Sequence, residues 1–238
     1  TTNLAEVSTI TSANGGVSIV SAQLDGEGSI VGGGNILFEG TQINAQDAVD
    51  VTAVAGYVIL GAASDTTYTD QWFESDTLIS EQEVRDERLT VTHQTSNIVG
   101  SEINIYAANT VFDQSSGLVA TAGDLTIESA SGDVLFGSLT EIDAHNRYSS
   151  SSAFGGLMDF STETQSLLAT ALSTQADAQG DINLIAGGDL EFQGGRFTAA
   201  GAINTQVAGD TRILATAATD FSYVIEHDNN SLLIVDHR

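Results

Sequence analysis

The chain is written in short alternations of apolar and polar residues, set between glycines and small polar residues. Val17-Ser18-Ile19-Val20, Asp124-Leu125-Thr126-Ile127-Glu128 and Asp189-Leu190-Glu191-Phe192 are typical. Alternate side chains of an extended strand face opposite ways, so this pattern predicts strands with one buried face. Gly-Asn or Gly-Asp recurs just ahead of such runs, at Gly34-Asn35, Gly123-Asp124, Gly132-Asp133, Gly180-Asp181 and Gly188-Asp189. These pairs predict turns, because glycine tolerates unusual φ and Asn or Asp can bond local backbone. Strands are expected every 8–12 residues or so, a cadence shared by sandwiches, barrels and β-solenoids.

A longer repeat chooses among these. Residues 15–68, 100–148 and 180–223 are versions of one unit, each ending at a tyrosine: Tyr68, Tyr148 and Tyr223. Residues 33–63 align without gaps on 187–217, with identities at Gly33, Gly34, Phe38, Gly40, Ala45, Ala48, Ile59, Leu60 and Ala63. The middle copy is looser, although Gly132-Asp133-Val134-Leu135-Phe136 matches Gly34-Asn35-Ile36-Leu37-Phe38. Units in series, rich in Gly, Ala, Ser and Thr, favour a solenoid with tight corners and a narrow interior. The expected fold is all-β, a parallel β-helix with coils of about 20 residues; nine or ten coils would make a rod roughly 45 Å long. Phe38, Phe136 and Phe192 share a repeat position and are expected to form an interior column.

Two segments break the pattern, 69–97 and 149–176, and are expected to be excursions that leave the rod at the tyrosines. The first reads as a hairpin lying along the rod, with Leu89-Thr90-Val91-Thr92-His93 as one strand. The second has two readings. Thr162-Glu163-Thr164-Gln165 resembles a capping box, and Leu168, Ala171 and Leu172 have helical spacing. Its Ser/Thr content equally fits an extended arm.

Composition narrows the partners. The chain has 238 residues, 41% of them hydrophobic, enough to bury a substantial core. Six Lys or Arg residues oppose 32 Asp or Glu, for a net charge of −26. Nucleic acid and anionic membrane surfaces are therefore not expected partners, since both need clustered cations. The charge reads first as a solvated, self-repelling surface. Carboxylates at turns could take up surface Ca²⁺, but the GGxGxD calcium nonapeptide is absent. Cysteine is absent, so neither a disulfide nor a thiolate metal site is available, and absence of proline suits strands whose N–H groups join ladders. An array that opens and closes in mid-pattern is expected to be a segment of a longer chain.

No catalytic constellation is legible, and neither cofactor nor small-molecule substrate is expected. His93, His145, His227 and His237 are far apart in sequence and form no HExxH or His-x-His motif. The cluster Gly26-Glu27-Gly28-Ser29-Ile30-Val31-Gly32 misses the dinucleotide fingerprint at Val31 and reads as a corner of the rod. Asp47 and Asp50, with Glu39 from a neighbouring coil, could form the acidic pair of a polysaccharide-active β-helix, but the matched copy carries Gly201, Asn204 and Gln193 there. Trp72 and Phe73 form an exposed-looking aromatic pair; packing of the excursion and partner contact both account for it. Asn229-Asn230-Ser231 is formally a glycosylation sequon.

The units resemble the haemagglutinin-type repeats of large exoproteins secreted by two-partner systems in Gram-negative bacteria, the filamentous haemagglutinin-like adhesins and contact-dependent growth inhibition effectors. The resemblance covers nearly the whole chain. It rests on Ala122-Gly123-Asp124-Leu125-Thr126-Ile127, on the run Gly180-Asp181-Ile182-Asn183-Leu184-Ile185-Ala186-Gly187-Gly188-Asp189-Leu190, and on the Gly-Leu element of Ser152-Ala153-Phe154-Gly155-Gly156-Leu157 after a landmark tyrosine. It implies a right-handed parallel β-helix, export through an outer-membrane secretion partner and placement on a cell-surface filament serving adhesion or toxin delivery to a target-cell receptor. It implies no catalytic residues. Family excursions are often rich in Lys, whereas 149–176 has none. The expected function is a non-enzymatic structural segment of that filament; a fibre protein associating end to end is the alternative, followed by a polysaccharide-active enzyme. Trp72, Phe73, Phe154 and Leu157, all on the excursions, are the candidate partner contacts.

Overall fold

A computed structural model describes residues 2–3, 8–25, 27, 29–154 and 156–230. The glycines at 26 and 28, His237 and the serine of the sequon lie outside these residues. Among the described residues every regular element is a strand.

The alternating runs build three parallel sheets of six strands each. The first sheet contains Thr9–Ser12, Gln42–Ala45, Asn97–Gly100, Gly117–Ala120, Gln175–Ala178 and Arg196–Ala199. The second contains Val17–Ser21, Val49–Ala53, Ile103–Ala107, Leu125–Ser129, Ile182–Ala186 and Ile203–Val207. The third contains Ile36–Glu39, the start of Val58–Asp76, Val111–Gln114, the start of Val134–Ala153, Leu190–Gln193 and Thr211–Leu214. The chain visits them in fixed order and returns, a path compatible with a β-solenoid. Asn97 pairs with Gly117 and Gln175 with Arg196, so an uninterrupted circuit takes 20 or 21 residues. Among the described residues there are six circuits, not the nine or ten expected, and their stack rises roughly 24 Å. The missing circuits are accounted for by residues given to long antiparallel strands and to a small hairpin of Gln23–Leu24 with Ile30–Gly32.

The core is a set of columns, one residue per circuit. Val49, Ile103, Leu125 and Ile182 form one, and Val51, Ile105, Ile127 and Leu184 another, all buried. The phenylalanine column is interrupted: its order is Phe38, Leu60, Asp113, Phe136, Phe192. Phe136 and Phe192 stack at 5.1 Å between centroids, and Phe197 meets both edge-on. Leu60 and Asp113 separate Phe38 from the other two.

The Gly-Asp turns have a specific cause. Asp133 Oδ1 accepts the Asp189 N–H of the next circuit at 2.7 Å, and Asp189 Oδ1 accepts the Asp210 N–H at 2.8 Å. Asp124 and Asp181 do the same for Asp181 and Ala202, and Asn35 for Tyr57. The carboxylate occupies the space where the residue ahead of that N–H would place a Cβ, so Gly180, Gly188, Gly201 and Gly209 stand there. Much of the acidity at these corners therefore belongs to a backbone ladder.

Among the described residues two long hairpins also interrupt the circuits. Val58–Asp76 returns as Ser80–Thr95, and Val134–Ala153 returns as Met158–Ser173. Thr219–Asn230 adds a third outgoing strand, giving an antiparallel sheet in the order 58–76, 80–95, 134–153, 158–173, 219–230, with Thr2–Asn3 against the first. Pairing begins at Ala62–Thr95 and Ser138–Ser173, so the landmark tyrosines lie inside the outgoing strands rather than at their exits. Leu89–His93 is in a strand as expected. Of the two readings of the second segment the extended one holds and the helical one for 162–172 does not: residues 162–169 are paired on both sides, to 142–149 and to 219–226, and 170–172 are paired to 139–141, and these ladders outweigh a local capping pattern.

Two circuits separate successive hairpins. Two parallel circuits rise ~9.6 Å, and one outgoing plus one returning strand also occupy ~9.6 Å. The two stacks therefore advance in step.

Candidate functional site

The hairpins leave and re-enter at one corner, between the third and first sheets, and this corner is lined by buried hydroxyls. Thr41, Ser96, Ser116 and Thr174 occupy equivalent places on successive circuits. Ser96 Oγ donates to Gly61 O at 2.7 Å and accepts the Thr41 N–H. Ser115, with φ of 66°, donates to Leu172 O and accepts the Leu139 N–H, tying both strands of the second hairpin to its root. Asp113 lies inside this corner and is fully buried. Its carboxylate accepts the Ser116 N–H at 2.9 Å and the Ser116 hydroxyl at 2.7 Å. The Thr174 hydroxyl faces it without a hydrogen bond of normal geometry. Burial pushes its pKa up to about 6, and the Ser116 bonds offset only part of that. Its place in an apolar column makes it a structural group at the hairpin root.

The antiparallel sheet is the larger feature, and its two faces differ. Cross-strand register puts Tyr68, Leu89, Ala144, Leu167 and Phe221 in one row. The next row outward on that face is Asp70, Glu87, Asn146, Gln165 and Tyr223, and the next is Trp72, Arg85, Tyr148, Glu163 and Ile225. All three landmark tyrosines and the single tryptophan thus share a face. Tyr68 donates to Glu87 at 3.2 Å and Trp72 to Glu83 at 3.3 Å. Arg85 bridges Asp70 and Glu87. Asn146 donates to Glu87, while its own Oδ1 is buried without a partner among the described residues. Phe221 packs edge-on against Tyr223 at 5.4 Å. Two troughs open on this face, about 420 Å³ beside Tyr68 and Phe221 and about 360 Å³ between Tyr148 and the carboxylates of Glu74, Glu83 and Asp159.

The opposite face holds the firmer ion pairs. Arg88 makes a bidentate contact with Asp143, at 3.0 and 2.7 Å, and holds that carboxyl below its ordinary range. His145 meets Asp86 at 2.9 Å. His93 bridges Ser64 and Thr140 O at the sheet's root, a positional role. His227 is exposed at the edge of the smaller trough.

The four candidate contacts divide. Trp72, 65% exposed, is on the tyrosine face and Phe73 on the other. Phe154 and Leu157 sit at the second hairpin's tip, both exposed. The Phe154 N–H donates to Ile79 O at 2.8 Å, which joins the tips of the two hairpins. Leu78 and Ile79, also exposed there, were not legible as contacts, because an apolar pair in a turn reads as packing. Asp47, Asp50 and Glu39 are not brought together: Asp50 faces outward on the second sheet and accepts from Asn104 at 3.0 Å, while Glu39 ends a strand of the third. Among the described residues, no three His, Cys, Asp or Glu side chains converge as metal ligands. Comparison with family models, with curated proteins and with solved structures finds no match to this chain.

Proposed function

We propose that the chain is a non-enzymatic structural segment of a secreted cell-surface filament, serving adhesion or contact-dependent toxin delivery. In this reading the circuits form a right-handed solenoid that acts as the stiff rod. The antiparallel sheet stands out from it sideways, because its outgoing strands continue strands of the third sheet. The observation that carries the reading is the matched growth of the two stacks. A unit that lengthens rod and sheet together suits a filament built by repetition. Positions kept between copies are glycines, small residues and apolar residues, whereas polar positions drift. The likeness to the repeat regions of two-partner-secreted exoproteins agrees with this and supplies the setting: export through an outer-membrane partner and contact with a target-cell receptor.

Circular dichroism of this segment should be dominated by strand, with one cooperative melt. Negative-stain images of a natural segment several units longer should show straight rods whose length scales with unit number. A compact particle of constant width and length would overturn the proposal.

A further inference from the structure

We infer that the tyrosine face of the antiparallel sheet is a docking surface for an extended glycan bearing free amino groups, a polymer of the glucosamine type. Its aromatic side chains recur on alternate strands. Trp72, Tyr148 and Tyr223 lie on the first, third and fifth strands of the five, in the same or adjacent rows. Two inter-strand steps, about 9.6 Å, separate Trp72 from Tyr148; Tyr223 lies two steps further and one same-face row inward, about 12 Å from Tyr148. The Trp72–Tyr148 step is close to the length of two pyranose rings joined end to end, so alternate rings of one chain would meet these two aromatic platforms, with Tyr223 set to one side. An extended peptide repeats its side chains on one face every ~6.6 Å and would fall out of step.

Carboxylate acceptors surround the platforms. Glu163 is next to Tyr148 within the Trp72–Tyr148 row, Glu83 and Glu87 lie one row to either side of it, and Arg85, which stands between Trp72 and Tyr148, is bridged to Asp70 and Glu87. Carboxylates accept several hydrogen bonds, so hydroxyl and ammonium groups of an amino sugar can join the donors already present, Trp72 on Glu83, Tyr68 on Glu87 and Gln165 on Glu163, and an ammonium over a tyrosine or tryptophan face gains cation–π attraction. Charge sets the class. Asp70, Glu74, Glu83, Glu87 and Glu163 share the face, and Arg85 is already bridged to Asp70 and Glu87. Anionic glycans are repelled, and so is the same face of a second copy, since each chain carries −26. The two troughs give the chain a concave seat on either side of the Trp72–Tyr148 row.

The inference deepens the filament reading and depends on it for its setting, but binding is a property of the isolated chain, so the two fail separately. The test is calorimetric titration of the full chain, at mildly acidic pH, with a glucosamine hexamer, its fully N-acetylated form, a neutral glucose hexamer, oligogalacturonate and hexalysine. The glucosamine hexamer should bind saturably and about tenfold more tightly than either neutral hexamer, and oligogalacturonate should not bind. Trp72→Ala and Tyr148→Ala should each weaken binding about tenfold with unchanged melting, while Tyr148→Phe keeps most of it. No binding by the glucosamine hexamer would overturn the inference. So would hexalysine binding as tightly, or indifference of the glucosamine hexamer to both aromatic substitutions, since either would mean unspecific attraction to carboxylates.

Discussion

Replacing Asp113 by asparagine should change how stability depends on pH. Asp113 is enclosed between Leu60 and Phe136, with no cation among its hydrogen-bond partners. Its ordinary pKa of 3.8 describes the unfolded chain, and burial raises the folded value to about 6. Between those values the folded protein holds a proton that the unfolded chain has lost. Stability from this group therefore falls as pH rises from about 4 to above 6, and the loss is complete at neutral pH. The gap corresponds to about 3 kcal/mol. Asparagine keeps an acceptor for the Ser116 N–H and cannot ionise. Urea unfolding of the native protein and of Asp113→Asn between pH 4 and 7.5 gives the comparison. The stability of the variant minus that of the native protein should rise by about 3 kcal/mol across that range. All other titrations, including that of Asp143 beside Arg88, occur in both proteins and cancel in the difference. A difference that stays constant with pH would refute the reasoning, because it would mean that the buried carboxyl does not exchange its proton on folding.

Three further outcomes follow from packing and turns. Gly188→Ala should destabilise by about 1–3 kcal/mol, because its Cβ meets Asp133 Oδ1 and the Gly132 backbone; combining it with Asp133→Ala in a double-mutant cycle should show coupling by urea unfolding. Leu125→Ala, at a fully buried place in the second sheet, should cost about 2–5 kcal/mol by the same measurement. Phe154→Gly should be neutral or stabilising by up to about 1 kcal/mol in thermal melts, since φ of 57° is strained for phenylalanine and the ring is exposed.

What the sequence disclosed is what local chemistry decides. Alternation at Val17–Ser21 or Leu125–Ser129 names the buried face directly, because a strand in a narrow solenoid has its inner positions filled by its own residues. Gly-Asp turns were legible as turns, although their deeper reason, a carboxylate from the preceding circuit, lies 56 or 57 residues away in the cases of Asp133–Asp189 and Asp124–Asp181. The extent of the hairpins was hidden. Their strands run straight on from the third sheet through Tyr68 and Tyr148, and residues solvated on both faces carry no alternation to mark the passage. The same absence left 162–172 open to a helical reading that only its two partner strands decide. Asp113 was concealed in Val111-Phe112-Asp113-Gln114, where apolarity suggests Phe112 as the inward residue and register puts Asp113 there instead.

The equal advance of circuits and hairpin strands also makes length a counted quantity. Removing a single circuit would shift the solenoid by one strand spacing and leave the antiparallel sheet two spacings long at that point. The ladders could then close only by shearing. Insertion or deletion of a complete unit, two circuits with one hairpin, leaves both ladders commensurate. A chain of this design can be lengthened or shortened by gene duplication or loss only in whole units, like a ruler cut at its marks.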